Sequence, residues 1–203
     1  MAENPSVQAK TGQRAGSGAV AGVARARAQR GADRRPFWST VNICDTEQSP
    51  NALGVRASVP GNGSNERIFA RYTAQWWSSA AQEWKTVGGS GVTDWVYLGT
   101  ADMTSRQAGW TFRFVQPPEG TTYVMRGAVE LQWRDQAKAA RKSRRAKRAR
   151  QNRKHRRAGK HRRARRAQGA PVVRERTLLT KTGMKGVQGG DPAGLSKAMC
   201  LIW

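Results

Sequence analysis

The chain has 203 residues, 37 Lys+Arg against 13 Asp+Glu, and a formal net charge of +24. Its length fits one large domain, or one ordinary domain with long appendages, and is too short for a multidomain enzyme. No run of about 18 apolar residues occurs, which excludes a membrane-spanning helix.

The charge is local. Residues 138–166 hold 17 cations and no acid, residues 1–35 hold seven cations and two acids, and the remainder carries 13 cations against 11 acids. The 15 aromatic residues divide the same way: 14 lie between Phe37 and Trp133, and the last is Trp203. A nearly neutral folded body therefore carries one very basic segment and one mildly basic tail.

Residues 1–35 are rich in Ala, Gly, Arg and Gln, with Val7, Val20 and Val23 as the only larger apolar side chains after Met1. They cannot bury enough surface to offset the entropy of ordering, so a disordered tail is expected. No export signal is read in them. Ala15–Ala24 lacks the Leu, Ile or Phe of a secretory apolar core, and the residues after Arg34-Arg35 turn polar by Asp45.

From Pro36 onward the pattern has a period of two, the signature of strands. The first candidates are 37–43 and 53–59. Next, Ile68, Ala70, Tyr72, Ala74 and Trp76 fall on one face of a strand, with Arg71, Thr73 and Gln75 on the other. Shorter candidates follow at 82–87 and 95–98. Trp110, Phe112 and Phe114 alternate with Thr111 and Arg113. The longest run sets Tyr123, Met125, Gly127, Val129, Leu131 and Trp133 against Val124, Arg126, Ala128, Glu130, Gln132 and Arg134. Residues 172–179 and 198–203 complete the set. Turn residues at 60–63, 88–91, 117–120 and 189–192 separate these segments.

Eight or nine short strands with one-sided alternation predict an all-β fold, a single antiparallel β-sandwich of immunoglobulin-like type, with a closed barrel as the alternative. The domain spans 36–203. Residues 136–168 interrupt it between two strands expected to pair as a hairpin, so the basic segment reads as a long insertion at a hairpin tip.

Cys44 ends the first predicted strand and Cys200 lies in the last. Two cysteines so placed suit a single clamp between neighbouring strands, or two buried thiols. They do not make a zinc site, because His155 and His161 both lie in the basic run. The same placement leaves the body without a histidine for Ser-His-Asp or Cys-His catalysis. Asp45, Glu47, Asp94, Asp102, Glu130 and Asp135 are scattered, with no spacing that predicts a convergent pair. The chain reads as a non-enzyme with no cofactor and no metal.

Two features suit binding. Trp76 and Trp77 are sequence neighbours, so within a strand one can enter the core and the other reaches the outside, as a ligand-stacking residue or under a cover of Arg side chains. The insertion offers Arg144, Arg145, Lys147, Arg148, Arg150, Arg153, Lys154, Arg156, Arg157, Arg162, Arg163, Arg165 and Arg166 to a polyanion. Without interleaved aromatics, such binding to nucleic acid or an anionic envelope polymer would be sequence-indifferent and strongly salt-dependent.

The stretches FWSTVNICDT (37–46) and PNALGVRASVPG (50–61), Arg126-Gly127, Gln132-Trp133-Arg134 and GDPAGLS (190–196) ahead of Cys200 resemble a group of uncharacterised secreted actinobacterial proteins. The resemblance covers roughly 37–134 and 172–203. It implies an exported immunoglobulin-like β-domain with Cys44 and Cys200 paired, and it implies no activity; the basic insertion departs from the pattern.

The readings rank in order. First comes a non-enzymatic, exported or cell-envelope β-sandwich of binding or structural type. Second is a polyanion binder acting through 138–166, and third a carbohydrate-binding module using an exposed Trp. An extracellular or envelope location accompanies the first, with the cytoplasm as the alternative.

Overall fold

The structure is a computed structural model. It describes the backbone of residues 7–8 and the whole of residues 36–135 and 170–203. The described residues form ten strands: β1 (Val7–Gln8), β2 (Trp38–Cys44), β3 (Ala52–Val59), β4 (Arg67–Ser78), β5 (Glu83–Thr86), β6 (Val96–Thr100), β7 (Arg106–Phe114), β8 (Tyr123–Arg134), β9 (Val172–Leu179) and β10 (Met199–Ile202). The described residues contain no helix, and so none long and apolar enough to cross a membrane.

The strands form two antiparallel sheets packed face to face. The first has the order β1-β7-β3-β2. In the second, β8 and β4 are central; β10 and β9 share the outer side of β8, and β5 and β6 share the outer side of β4. The sandwich expected from the sequence is what forms, and the barrel alternative does not.

Alternation decides the inside. Ile68, Ala70, Tyr72, Ala74 and Trp76 of β4 are buried, and they lie opposite Trp133, Leu131, Val129, Gly127 and Met125 of β8. Leu53, Val55, Ala57 and Val59 of β3 complete the core from the other sheet, with Val41, Phe112 and Phe114. Burying side chains of this size contributes about 1.5–3 kcal/mol each. Small residues set the closeness of the sheets: a Cβ on Gly127 would collide with Val55 Cγ2 in the facing sheet.

Two elements exceed the expectation. β7 starts at Arg106, four residues before its aromatic alternation begins, because β3 supplies a ladder partner for every residue from Arg106 to Arg113. In the tail read as disordered, Val7 and Gln8 pair with Phe114 and Arg113. The reason is on β7, whose outer side would otherwise leave that end of the ladder unmade.

β8 and β9 pair as a hairpin from Ala128↔Leu179 to Arg134↔Val172, closed by the Asp135 amide donating to the Pro171 carbonyl at 3.1 Å. Residues 136–169, with the insertion and all thirteen of its named polyanion candidates, lie outside the described residues.

Candidate binding surfaces

The two cysteines meet. Cys44 ends β2 in one sheet and Cys200 lies in β10 of the other, and they form a disulfide with Cα atoms 5.4 Å apart. Simple alternation would have aimed Cys44 the wrong way. Val41 faces the core, so Ile43 should follow it inward and Cys44 should point out. A β-bulge between Val41 and Ile43 adds one residue and reverses the parity. Cys44 then lies opposite Leu53 and faces inward, while Ile43 turns outward over Gly54. Gly54 is required there, since a Cβ would sit 2.6 Å from that of Ile43.

The same side is sewn by residues 181–197. Val41 and Lys197 exchange backbone hydrogen bonds of 2.8 and 3.0 Å, the Lys181 amide donates to Ser39 O at 2.9 Å, and the Asp191 amide donates to Asn42 O at 2.7 Å. The buried Thr40 hydroxyl meets Lys181 O at 2.8 Å, Ser196 Oγ at 2.8 Å and Lys197 O at 3.1 Å.

The outer face of the β8–β4 sheet is an arginine–aromatic lattice. Trp76 faces the core and is buried, so of the tryptophan pair Trp77 alone reaches this face. Trp77 meets Trp84 of β5 edge-on, with ring centroids 5.5 Å apart. Arg126 lies over the Trp84 ring at 4.2 Å and donates from Nε to Gln75 Oε1 at 2.8 Å. Further along, Arg71 forks onto Glu130 with bonds of 3.2 and 2.6 Å while stacking on Trp95. Arg134 is buried between Phe69 and Trp95, 4.2 and 5.2 Å from their rings. Burial lowers the pKa of Arg126 and Arg134 from the ordinary value, and guanidinium keeps its charge regardless. Alternation placed arginines on the polar face of the two long strands; their stacking on aromatics from β4, β5 and the residues before β6 needed the register.

One margin of this face is apolar. Leu179, Met199 and Leu201 flank Ala128, Arg126 and Val124 and are 47%, 50% and 43% exposed. The sequence signal was present for Met199 and Leu201, which alternate with the buried Cys200 and Ile202 in β10, but a four-residue strand gives no indication of which face is covered.

Three of the candidate acids have structural partners. Asp45 accepts from the Asn51 and Trp203 amides at 2.7 and 3.2 Å, Glu130 is held by Arg71, and Asp102 pairs with Arg106 at 2.5 Å. Among the described residues no three His, Cys, Asp or Glu side chains converge.

No family model, no curated protein and no solved structure matches this chain.

Proposed function

We propose that the chain is a non-enzymatic, exported or envelope-associated β-sandwich of binding or structural type. The observation that carries the reading is the Cys44–Cys200 disulfide, which ties the first strand of the body to the last across both sheets. Such clamps persist in oxidising compartments and are rare in the cytosol. The strand order supports an immunoglobulin-like domain: β2-β3-β7 against β9-β8-β4-β5 follows the A-B-E and G-F-C-C′ sheets of that architecture. The resemblance to secreted actinobacterial proteins points the same way. Fractionation of producing cells tests the reading: the protein is expected in the envelope or medium, and recovery with a cytosolic marker would overturn it.

A second reading has its own support. The insertion leaves a hairpin whose two strands are paired to their last residues, so the sandwich can present a polycation from a fixed point without disturbing its core. Deleting 138–166 is expected to lower affinity for duplex DNA at low salt by at least about tenfold and to flatten its salt dependence. Unchanged affinity would remove this reading. The carbohydrate-binding reading rests on Trp77 alone; Trp76 is in the core, and Arg126 covers the Trp84 ring beside Trp77.

A further inference from the structure

Exposed apolar side chains gather at one corner of the sandwich. Met199 and Leu201 point outward from β10, since Cys200 and Ile202, which alternate with them, are buried. The same alternation carries on to Trp203, which is 65% exposed. Leu179 ends β9 beside them. There the Thr180 hydroxyl donates to the Ala198 carbonyl at 2.5 Å, tying the end of β9 to the start of β10. Apolar side chains grouped on a surface mark places where something else is bound.

The corner also carries unopposed positive charge. Lys181 follows Leu179 by two residues, and Lys197 precedes Met199 by two. Their backbones are neighbours, because the one Thr40 hydroxyl reaches the carbonyls of both. Both lysines are exposed, and among the described residues neither has an ion pair. Arg126 lies opposite Met199, and its contacts there are the Trp84 ring and the Gln75 amide oxygen, with no carboxylate among the described residues. The acids on this side are engaged, Asp191 by the Thr46 hydroxyl and Asp45 by two backbone amides.

The chain leaves the described residues at other places. Asp135 and Pro171 close the hairpin at the opposite end of β9 from Leu179, and Phe37, next to Pro36, packs edge-on against Trp133 near that same end. Gln8 lies on β7 in the facing sheet.

An apolar cluster beside cations and without a free acid fits an anionic bilayer. Leu and Met side chains enter the acyl region, Trp favours the boundary, and Lys and Arg meet phosphate. A second copy of the chain fits less well, since a two-fold seam over this corner would bring two sets of the same cations together.

We propose that the corner formed by Leu179, Met199, Leu201 and Trp203 docks on the surface of an anionic lipid bilayer, with Lys181, Lys197 and Arg126 meeting lipid phosphates. This goes beyond the exported-binding reading and does not depend on it, nor on the basic insertion.

Tryptophan quenching of the full chain by vesicles tests the proposal. The vesicles are equal parts phosphatidylglycerol and phosphatidylcholine, brominated in the acyl chains, and bromine there quenches tryptophans that reach the acyl boundary. Residues 138–166 contain no tryptophan, so a chain held by them alone would bind without quenching. Quenching is expected, and it is expected to be at least about tenfold weaker on pure phosphatidylcholine. M199S/L201S removes apolar surface and leaves the charge, and is expected to lower the quenching at least about threefold. K181Q/K197Q is expected to raise the anionic lipid needed for half-maximal quenching by at least about threefold. All four positions are exposed, and a retained Cys44–Cys200 link with unchanged circular dichroism verifies the fold. Binding without quenching, equal quenching on pure phosphatidylcholine, or quenching indifferent to either pair of substitutions would each overturn the proposal. A dimer that M199S/L201S separates would overturn it too, and would give the corner to a second copy.

Discussion

The two lateral sides of the sandwich are built differently. On the side of β2 and β10 the sheets are joined by a disulfide, and residues 181–197 add backbone bonds along β2. On the side of β7 and β6 no covalent link joins the sheets, and among the described residues β7 has a partner on its outer side only at Arg113 and Phe114. Both edges belong to the same sheet, in strands of seven and nine residues. A returning stretch of chain distinguishes them: residues 181–197, beyond β9, run back along β2. The β2 edge is thus closed by a segment distant in sequence.

The largest expected effect comes from removing the clamp. C44S/C200S releases a loop closed over a sequence separation of 156 residues, and a loss of about 4–5 kcal/mol is expected in chemical denaturation, on the chain-entropy account. A loss below about 1 kcal/mol would mean that residues 181–197 hold the closed side alone. At the centre, where both sides meet, Gly127→Ala forces a methyl into Val55 and is expected to cost about 1–3 kcal/mol.

A matched pair sharpens the contrast. On the closed side Thr40→Val strands the Lys181 carbonyl, while Lys197 O keeps the Val41 amide and Ser196 Oγ keeps the Met184 amide, for a loss of about 1–2 kcal/mol. On the outer face of β7, Thr111→Val is expected to change stability by less than about 0.5 kcal/mol. Equal effects would break the comparison.

The smallest effect at neutral pH is at Tyr72. Among the described residues its buried phenol has no hydrogen-bond partner, and burial raises its pKa, with the charge of Arg56 opposing the rise. The unfolded phenol ionises near pH 10. Above that pH the unfolded chain binds fewer protons than the folded one, so stability falls with rising pH by up to about 1.4 kcal/mol per unit; below it Tyr72 has no effect. Tyr72→Phe is expected to be near neutral at pH 7 and to flatten the decline between pH 10 and 11 in urea titrations.

Much of the fold was legible because β4 and β8 are long and cleanly alternating, and their faces came out as read. The start of β7 was not, since Arg106-Gln107-Ala108-Gly109 has no alternation of its own and takes its conformation from β3. The orientation of Cys44 was not either. Strict parity aims it outward, and only the bulge at Val41–Ile43 aims it at Cys200. Of the candidate site, the division between Trp76 and Trp77 followed from neighbouring residues facing opposite ways. The stacking of Arg126 on Trp84 did not, because it depends on which strand lies beside β4.

An exported sandwich requires the clamp to be closed where the protein resides. The direct measurement is a peptic digest of protein taken from producing cells with free thiols blocked at lysis, analysed by mass spectrometry without reduction. A single species linking the Cys44 and Cys200 peptides is expected. Both peptides carrying the blocking group would contradict it.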